Sequence, residues 1–443
     1  MQFPEHGTPH AELMSRLRDA TSRDADWRGG KIFSLVYFAG DDVADVLKEA
    51  YTTAFYANGL GPGAFKSLKK FESEVIAMTA DLLEHPEAAG NMTSGGTESI
   101  LMAVKTARDW ARAERGITNP QMIVSITAHP AFAKAAHYLG VDLVETSIRD
   151  DLRTDVDAMR DAITENTVLI AGSAPCYPFG VIDPISEIAA LAAERGILCH
   201  VDACLGAYLL PFVERLGRPV PPWDFRVDGV TSISADLHKY GYSARGASVV
   251  LYRDRDVRRH QFFATSDWPG GLYGSPTLAG SRPGGAIAAA WAVLNYLGVE
   301  GYTRLTRVVM DTTSELIRGI NAIPELRVIG EPDMSVFAFT SDSLDIHSIA
   351  DALDEAGWHP DRQQLPPSLH CMVTPAHEDA VAPFLAALAS AVEHAKTKSP
   401  TEGGKAAVYG MLDKLPDRGS VRDVVLDSMD RLTQVKRDAP SRD

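Results

Sequence analysis

Ile197-Leu198-Cys199-His200-Val201-Asp202 is the stretch on which the fold turns. Its apolar run is continuous rather than alternating, and it stops on a carboxylate. A continuous run suits a strand buried on both faces, as in a parallel sheet covered by helices. Similar runs lie on either side, at 121–126, 142–146, 167–173, 229–234 and 247–252. Helical stretches such as 185–195 separate them. Upstream, 64–83 and 97–115 read as helices. The second is amphipathic, with Ile100, Leu101, Val104 and Ala107 on one face. This alternation predicts an α/β domain built on a mostly parallel sheet.

Residues 1–60 read as an N-terminal arm, 61–310 as the large domain and 311–443 as a smaller α+β domain. A long helix is expected over 286–296. Beyond about 310 the pattern is helix, strand, strand, helix, with strands at 326–329 and 335–339. The tail from Pro400 ends in a charged helix. The 443 residues are 45% hydrophobic and 23% charged, as in ordinary globular chains. A net charge of -16 argues against a nucleic-acid binder, which needs clustered Lys and Arg. It leaves room for a small anionic substrate held by a few buried cations. Cys176, Cys199, Cys204 and Cys371 form no C-x-x-C pair, which fits a reducing, cytoplasmic setting. The N-terminus has no apolar core segment, so no signal peptide is expected. No run approaches the ~20 apolar residues that span a bilayer.

Three segments carry chemistry. Ser94-Gly95-Gly96-Thr97-Glu98 precedes the strongest helix. Glycines let backbone N–H groups approach a phosphate, and the helix dipole favours an anion there. A capping loop closed by Glu98 is the bland alternative, and the segment alone does not decide. Asp202 ends its strand where open α/β sheets bind ligands. An Asp that merely starts a loop is the common alternative. Lys239, in Ser234-Ala235-Asp236-Leu237-His238-Lys239-Tyr240, lies between two buried-looking strands. A lysine there is desolvated, which lowers its pKa and favours imine formation.

Together these are the parts that pyridoxal phosphate demands: an imine-forming lysine, a carboxylate to keep the pyridine nitrogen protonated, and a phosphate cradle. His129 follows the 121–126 run and is placed to stack on a ring; a surface loop histidine is its alternative. His129, His137, His200, Asp202 and His238 show no tight ligand spacing, so no catalytic metal is expected. Gly59-Leu60-Gly61-Pro62-Gly63 lacks a preceding strand and contains a proline, which rules out a dinucleotide fingerprint.

These residues stand in long strings: MTSGGTESILMAVK at 92–105, HVDACLGAYL at 200–209, GVTSISADLHKYGY at 229–242 and GGLYGSPTLAGSRPGG at 270–285. QFF at 261–263, DWPGG at 267–271 and AAVYGM at 406–411 add to them. In them, from about Asp26 to Leu432, the chain resembles the sphingosine-1-phosphate lyases of the group II pyridoxal-phosphate-dependent decarboxylase superfamily. The resemblance implies the type I aminotransferase fold and a homodimer whose active site is completed by the partner subunit. It implies Lys239 as the imine lysine, Asp202 as partner of the pyridine nitrogen and His129 as the stacking residue. Gly95, Gly96, Thr97 and His238 would hold the cofactor phosphate, with Ser281 reaching it from the other subunit. Tyr37, Arg245, Tyr409 and Asn58 would line the substrate site, with Tyr37 also serving in catalysis.

There are departures. Arg245 stands where similar lyases often carry Lys, which exchanges a point charge for a fork. Asn58-Gly59-Leu60-Gly61 and the 173–180 loop also differ. Relatives from eukaryotes carry an N-terminal membrane helix, so the likeness is to the soluble bacterial form. The activity implied is retro-aldol cleavage of a phosphorylated sphingoid base to phosphoethanolamine and a long-chain aldehyde. Lys239, Tyr37 or the substrate phosphate are the candidate bases. An amino-acid decarboxylase on the same scaffold is the rival. A non-catalytic binding module would have no need of a lysine paired with a carboxylate.

Overall fold

The computed structural model describes residues 3–61, 63–397 and 418–434. Seven strands form the large sheet: β1 (Ala89–Thr93), β2 (Gln121–Ser125), β3 (Asp142–Thr146), β4 (Thr167–Ser173), β5 (Leu198–Asp202), β6 (Ser232–Ala235) and β7 (Ser248–Tyr252). Their order is β1-β7-β6-β5-β4-β2-β3. β6, β5, β4, β2 and β3 are parallel, and β7 runs antiparallel to both its neighbours. The mostly parallel α/β sheet is therefore present. β4 and β5 are buried along their whole length, as continuous apolar runs require. β3 departs from that pattern: it is the edge strand, and most of it is partly or fully exposed.

β1 is a strand the sequence does not announce. Ala89-Gly90-Asn91-Met92-Thr93 has little β propensity, yet it is fully buried and pairs with β7 from Ala89↔Tyr252 to Thr93↔Ser248. Because β7 is antiparallel to both β1 and β6, the last residue of β1 lies on the same sheet edge as the last residues of β5 and β6. The segments that follow β1, β2, β5 and β6 thus emerge on one side. That edge carries Ser94–Thr97, His129, Asp202 and Asp236–Lys239.

The long helix extends further than the periodicity predicts, over Gly284–Asn321. Gly298 interrupts it with φ +52°, a left-handed value that glycine tolerates, which explains why the sequence pattern stops near Tyr296. The C-terminal part is richer than helix–strand–strand–helix. An antiparallel sheet, β10-β11-β13-β12, joins Arg327–Val328 (β10), Val336–Thr340 (β11), Asp361–Gln364 (β12) and Pro367–Met372 (β13). The helix Ile346–Glu355 falls between β11 and β12. β12 reads Asp-Arg-Gln-Gln and so leaves no apolar trace. A two-stranded hairpin, Phe263–Thr265 (β8) with Tyr273–Ser275 (β9), also lies outside the predicted strands.

The N-terminal arm is stitched into the smaller sheet. Met372 N–H donates to Phe33 O (2.8 Å), and Phe33 N–H donates to His359 O (3.2 Å). Phe33 is fully buried against Phe384 and His377. This anchor fixes Tyr37 four residues later. Among the described residues, no helix is long and apolar enough to cross a membrane.

Candidate active site

Lys239 lies on the turn after β6. Asp236 O accepts the Lys239 N–H (3.2 Å), and Tyr242 N–H closes the next turn onto Lys239 O (2.8 Å). The side chain enters a cavity of about 340 Å³ lined by Gly95, Gly96, Thr97, His129, Asp202, Cys204, Asp236 and His238. Gly95, Gly96, Thr97, His129, Asp202, His238 and Lys239, seven residues singled out from the sequence, therefore meet in one pocket. A larger cavity, about 640 Å³, is lined by Met78, Phe212 and Tyr302 and holds none of them. Convergence of titratable groups, not size, marks the site.

One expectation about Lys239 reverses. Burial does pull its amine down, but the Asp236 carboxylate at 3.0 Å, with Asp202 nearby, outweighs burial and raises it above the usual lysine value. Without cofactor, the lysine is therefore ion-paired to Asp236.

Asp202 ends β5 and is almost fully buried. Burial would raise its carboxyl, but His129, which is protonated at the acid pH where a carboxyl titrates, the Lys239 charge and the Cys204 contacts hold it below the usual range. Cys204 N–H (3.1 Å) and Ser234 Oγ–H (3.2 Å) both donate to its Oδ1, which leaves Oδ2 for a ligand. The neighbouring His200 points into the sheet, between Ser232 Oγ (2.9 Å) and Ser234 Oγ (3.2 Å). Its role is to brace β5 against β6, not to ligate.

The loop before the helix Gly96–Arg115 settles as an open N-terminus. Glu98 does not close a capping box. Its Oε2 accepts the Ser94 N–H at 2.7 Å, and its Oε1 accepts the Leu278 N–H at 3.0 Å. The N-cap residue is Gly95, with no side-chain cap. The first turn therefore keeps its backbone donors for an anion. A Cβ on Gly96 would come within 2.6 Å of Cys204 Sγ and 2.7 Å of Asp236 Oδ2, so the cradle admits no side chain there.

The two histidines have defined tautomers. Ala131 N–H donates to His129 Nδ1 (3.1 Å), and Ala247 N–H donates to His238 Nδ1 (3.3 Å). The Nε2 of each then carries the proton. Burial lowers both rings below the usual histidine value, against the pull of Asp202 on His129 and of Asp236 on His238. His129 is thus a neutral ring suited to stacking, and His238 a neutral donor beside Gly95.

A second chamber, about 280 Å³, opens from the first. It shares His129, Asp202, Cys204 and Lys239 and adds Tyr37, Tyr177, Arg245 and Met372. Tyr37 donates its hydroxyl to Met372 Sδ (2.6 Å) and lies under the Arg245 guanidinium at 5.4 Å. Burial raises its phenol well above the usual value, only partly offset by Arg245, so Tyr37 keeps its proton. Tyr177, which the sequence did not single out, donates to Asp361 Oδ2 at 2.7 Å. Asp236 and Cys204 were missed likewise. Asp236 and Cys204 lie within the strings quoted above and Tyr177 in the 173–180 loop, but nothing in their spacing says that they turn inward.

Asn58 and Ser281 lie outside these chambers. Asn58 Nδ2–H donates to Ser281 Oγ at 3.0 Å, and Ser281 is exposed. Tyr409 falls outside the described residues.

The donor set fits pyridoxal phosphate: an open helix N-terminus for the phosphate, a free Asp202 oxygen for the pyridine nitrogen, a flat neutral ring and a buried lysine. Comparisons with known proteins agree. The model of the pyridoxal-dependent decarboxylase conserved domain matches residues 7–341. The sphingosine-1-phosphate lyase of Oryza sativa subsp. japonica is 45% identical over 429 residues, 95% of this chain and 79% of that protein. The solved structure of a Burkholderia pseudomallei K96243 sphingosine-1-phosphate lyase matches with a TM-score of 0.90 and 41% identity, over 98% of this chain and 97% of that one. A Lactobacillus brevis glutamate decarboxylase, at 20% identity and a TM-score of 0.79 over 90% of this chain and 96% of that one, shares the fold. The chain belongs to the pyridoxal-dependent decarboxylase family, a group of type I fold enzymes that use pyridoxal phosphate. Within that group it belongs with the sphingosine-1-phosphate lyases.

Proposed function

We propose that the protein cleaves the C2–C3 bond of a phosphorylated sphingoid base, giving phosphoethanolamine and a long-chain aldehyde. The observation that carries this is the junction of two chambers at Lys239. One holds the cofactor-binding set, and the other presents a single guanidinium, Arg245, beside a protonated phenol.

Pyridoxal phosphate, when bound, supplies an aldehyde for amines and a ring that takes up the electron pair of the broken bond. The chain does the rest. Lys239 would carry the cofactor, Asp202 would keep its pyridine nitrogen protonated, Gly95, Gly96, Thr97 and His238 would hold its phosphate, and His129 would stack on its ring. Arg245 takes the substrate phosphate, and Tyr37 donates a hydrogen bond beside it. Fixing the head group at Arg245 would orient the substrate and so select which bond at C2 breaks. Tyr37 holds its proton too firmly to be the base, which leaves Lys239 or the substrate phosphate.

The dimer is part of this reading. Ser281 is exposed and lies outside its own chain's chambers, which suits a residue that serves a second copy. Phe263, Trp268, Leu272 and Leu278 on or beside the β8–β9 hairpin are more than half exposed, as an interface would leave them in one chain alone. Four unpaired, buried cysteines favour the cytoplasm.

The test is direct. Purified protein incubated with sphingosine-1-phosphate should release phosphoethanolamine and aldehyde in equal amounts. A Lys239→Ala variant should lose both products and the yellow colour of the bound cofactor. Carbon dioxide from amino acids, with no aldehyde, would replace this reading with decarboxylation.

A further inference from the structure

Asp236 is a buried carboxylate that the reading above does not use. Its exposure is 1%, and its Oδ1 has no hydrogen-bond partner. An orphaned oxygen of this kind is destabilising, so its retention points to a use. Its Oδ2 lies 3.0 Å from Lys239 Nζ and 3.7 Å from His238 Nε2. The backbone holds that pairing, since the Asp236 carbonyl also accepts the Lys239 N–H at 3.2 Å. Both residues are on one tight turn, so Asp236 follows Lys239 wherever the loop goes.

We propose that Asp236 is the counter-ion of the Lys239 nitrogen, a positioning residue that decides how firmly that nitrogen keeps its proton. The proposal rests on the cofactor reading and deepens it. Lys239 is faced by the carboxylates of Asp202 and Asp236, the rings of His129 and His238, the Cys204 thiol and the phenols of Tyr177 and Tyr240. Arg245 lines the adjoining chamber. Among the described residues, Asp236 is the one carboxylate in ion-pair contact with Lys239. Asp202 gives its Oδ1 to Cys204 and Ser234 and keeps Oδ2 for the cofactor. The imidazoles are neutral, and burial raises the thiol and both phenols, so these groups add no fixed anion. The lysine nitrogen stays cationic whether it is a free ammonium or a protonated link to the cofactor. Asp236 therefore stabilises both forms against loss of that proton.

The experiment is a spectrophotometric pH titration of the holoenzyme, following the yellow band near about 410–430 nm that a protonated lysine–cofactor link gives. An opposite charge at this range shifts a titration by about one to three units. Asp236→Asn should lower the midpoint by that much, about ten- to a thousandfold in proton affinity. Asp236→Glu should return it to within about half a unit of wild type, given the size of the charge effect. Asp236→Ser provides a second neutral variant. Midpoints in the neutral variants that match wild type overturn the proposal. Loss of cofactor or fold in both neutral variants also overturns it, because the carboxylate would then be structural. A wild-type protein with no yellow band at all defeats the cofactor reading instead, which keeps the two failures apart.

Discussion

At the scale of single residues, the site divides cations between two jobs. Lys239 is locked in an ion pair, whereas among the described residues Arg245 is tied through one nitrogen, which donates to His238 O at 3.3 Å, and through the Tyr37 ring. That leaves most of the guanidinium fork for a phosphate. Arg245→Ala should therefore raise KM for the phosphorylated substrate by about ten- to a hundredfold, the loss of one charge-assisted contact, with a smaller change in kcat. Steady-state kinetics checks this; an unchanged KM would remove Arg245 from the head-group site. Asp202, at the end of one buried run, and Lys239, on the turn past another, were legible in the sequence as residues of one pocket. Asp236, two residues before His238, carries no such signal. Whether a loop carboxylate turns inward depends on a turn closed by its own carbonyl, and composition does not reveal that.

At the scale of elements, the decisive piece is an uncapped helix. The helix Gly96–Arg115 begins without a side-chain cap, while its natural capper, Glu98, is diverted to Ser94 and Leu278. Omitting a cap forgoes about 1 kcal/mol, which a bound phosphate returns. Gly96→Ala should push a methyl group into Cys204 and Asp236 and weaken cofactor binding at least about tenfold. Equilibrium dialysis of pyridoxal phosphate measures this, and unaltered affinity would show that the cradle has slack. The sheet that aims this helix was only partly legible. β4 and β5 announce themselves as unbroken apolar runs. β1 and β12 do not, because their Gly, Asn, Asp and Gln residues belong to strands by virtue of their neighbours.

At the scale of the molecule, buried histidines link stability to pH, two of them most strongly. His200 in β5 and His370 in β13 are fully buried, and burial drives each down to about 4. An unfolded histidine titrates near about 6.5, so the unfolded chain takes up these protons first as pH falls. The stabilisation is complete above about 6.5 and is lost between there and about 4, the window set by the unfolded and native values. At pH 5 the loss should be about 2 kcal/mol per histidine. Urea unfolding at pH 7 and pH 5 would show it, and His200→Asn should lose about 2 kcal/mol less than wild type. An equal loss in both proteins would mean that other groups govern the acid limb. His370 sits in the smaller sheet, to which Phe33 fastens the N-terminal arm. That fastening has a mechanical meaning. Met372 comes from the smaller sheet yet is buried, with Tyr37 against it, in the same core cluster as Val201 and Ile233 of the larger one. Tyr240, next to Lys239, donates its hydroxyl to Val373 O and accepts from Ser335 Oγ. The two walls of the second chamber are therefore riveted together, so the span from Tyr37 to Lys239 is set by packing and not by a hinge.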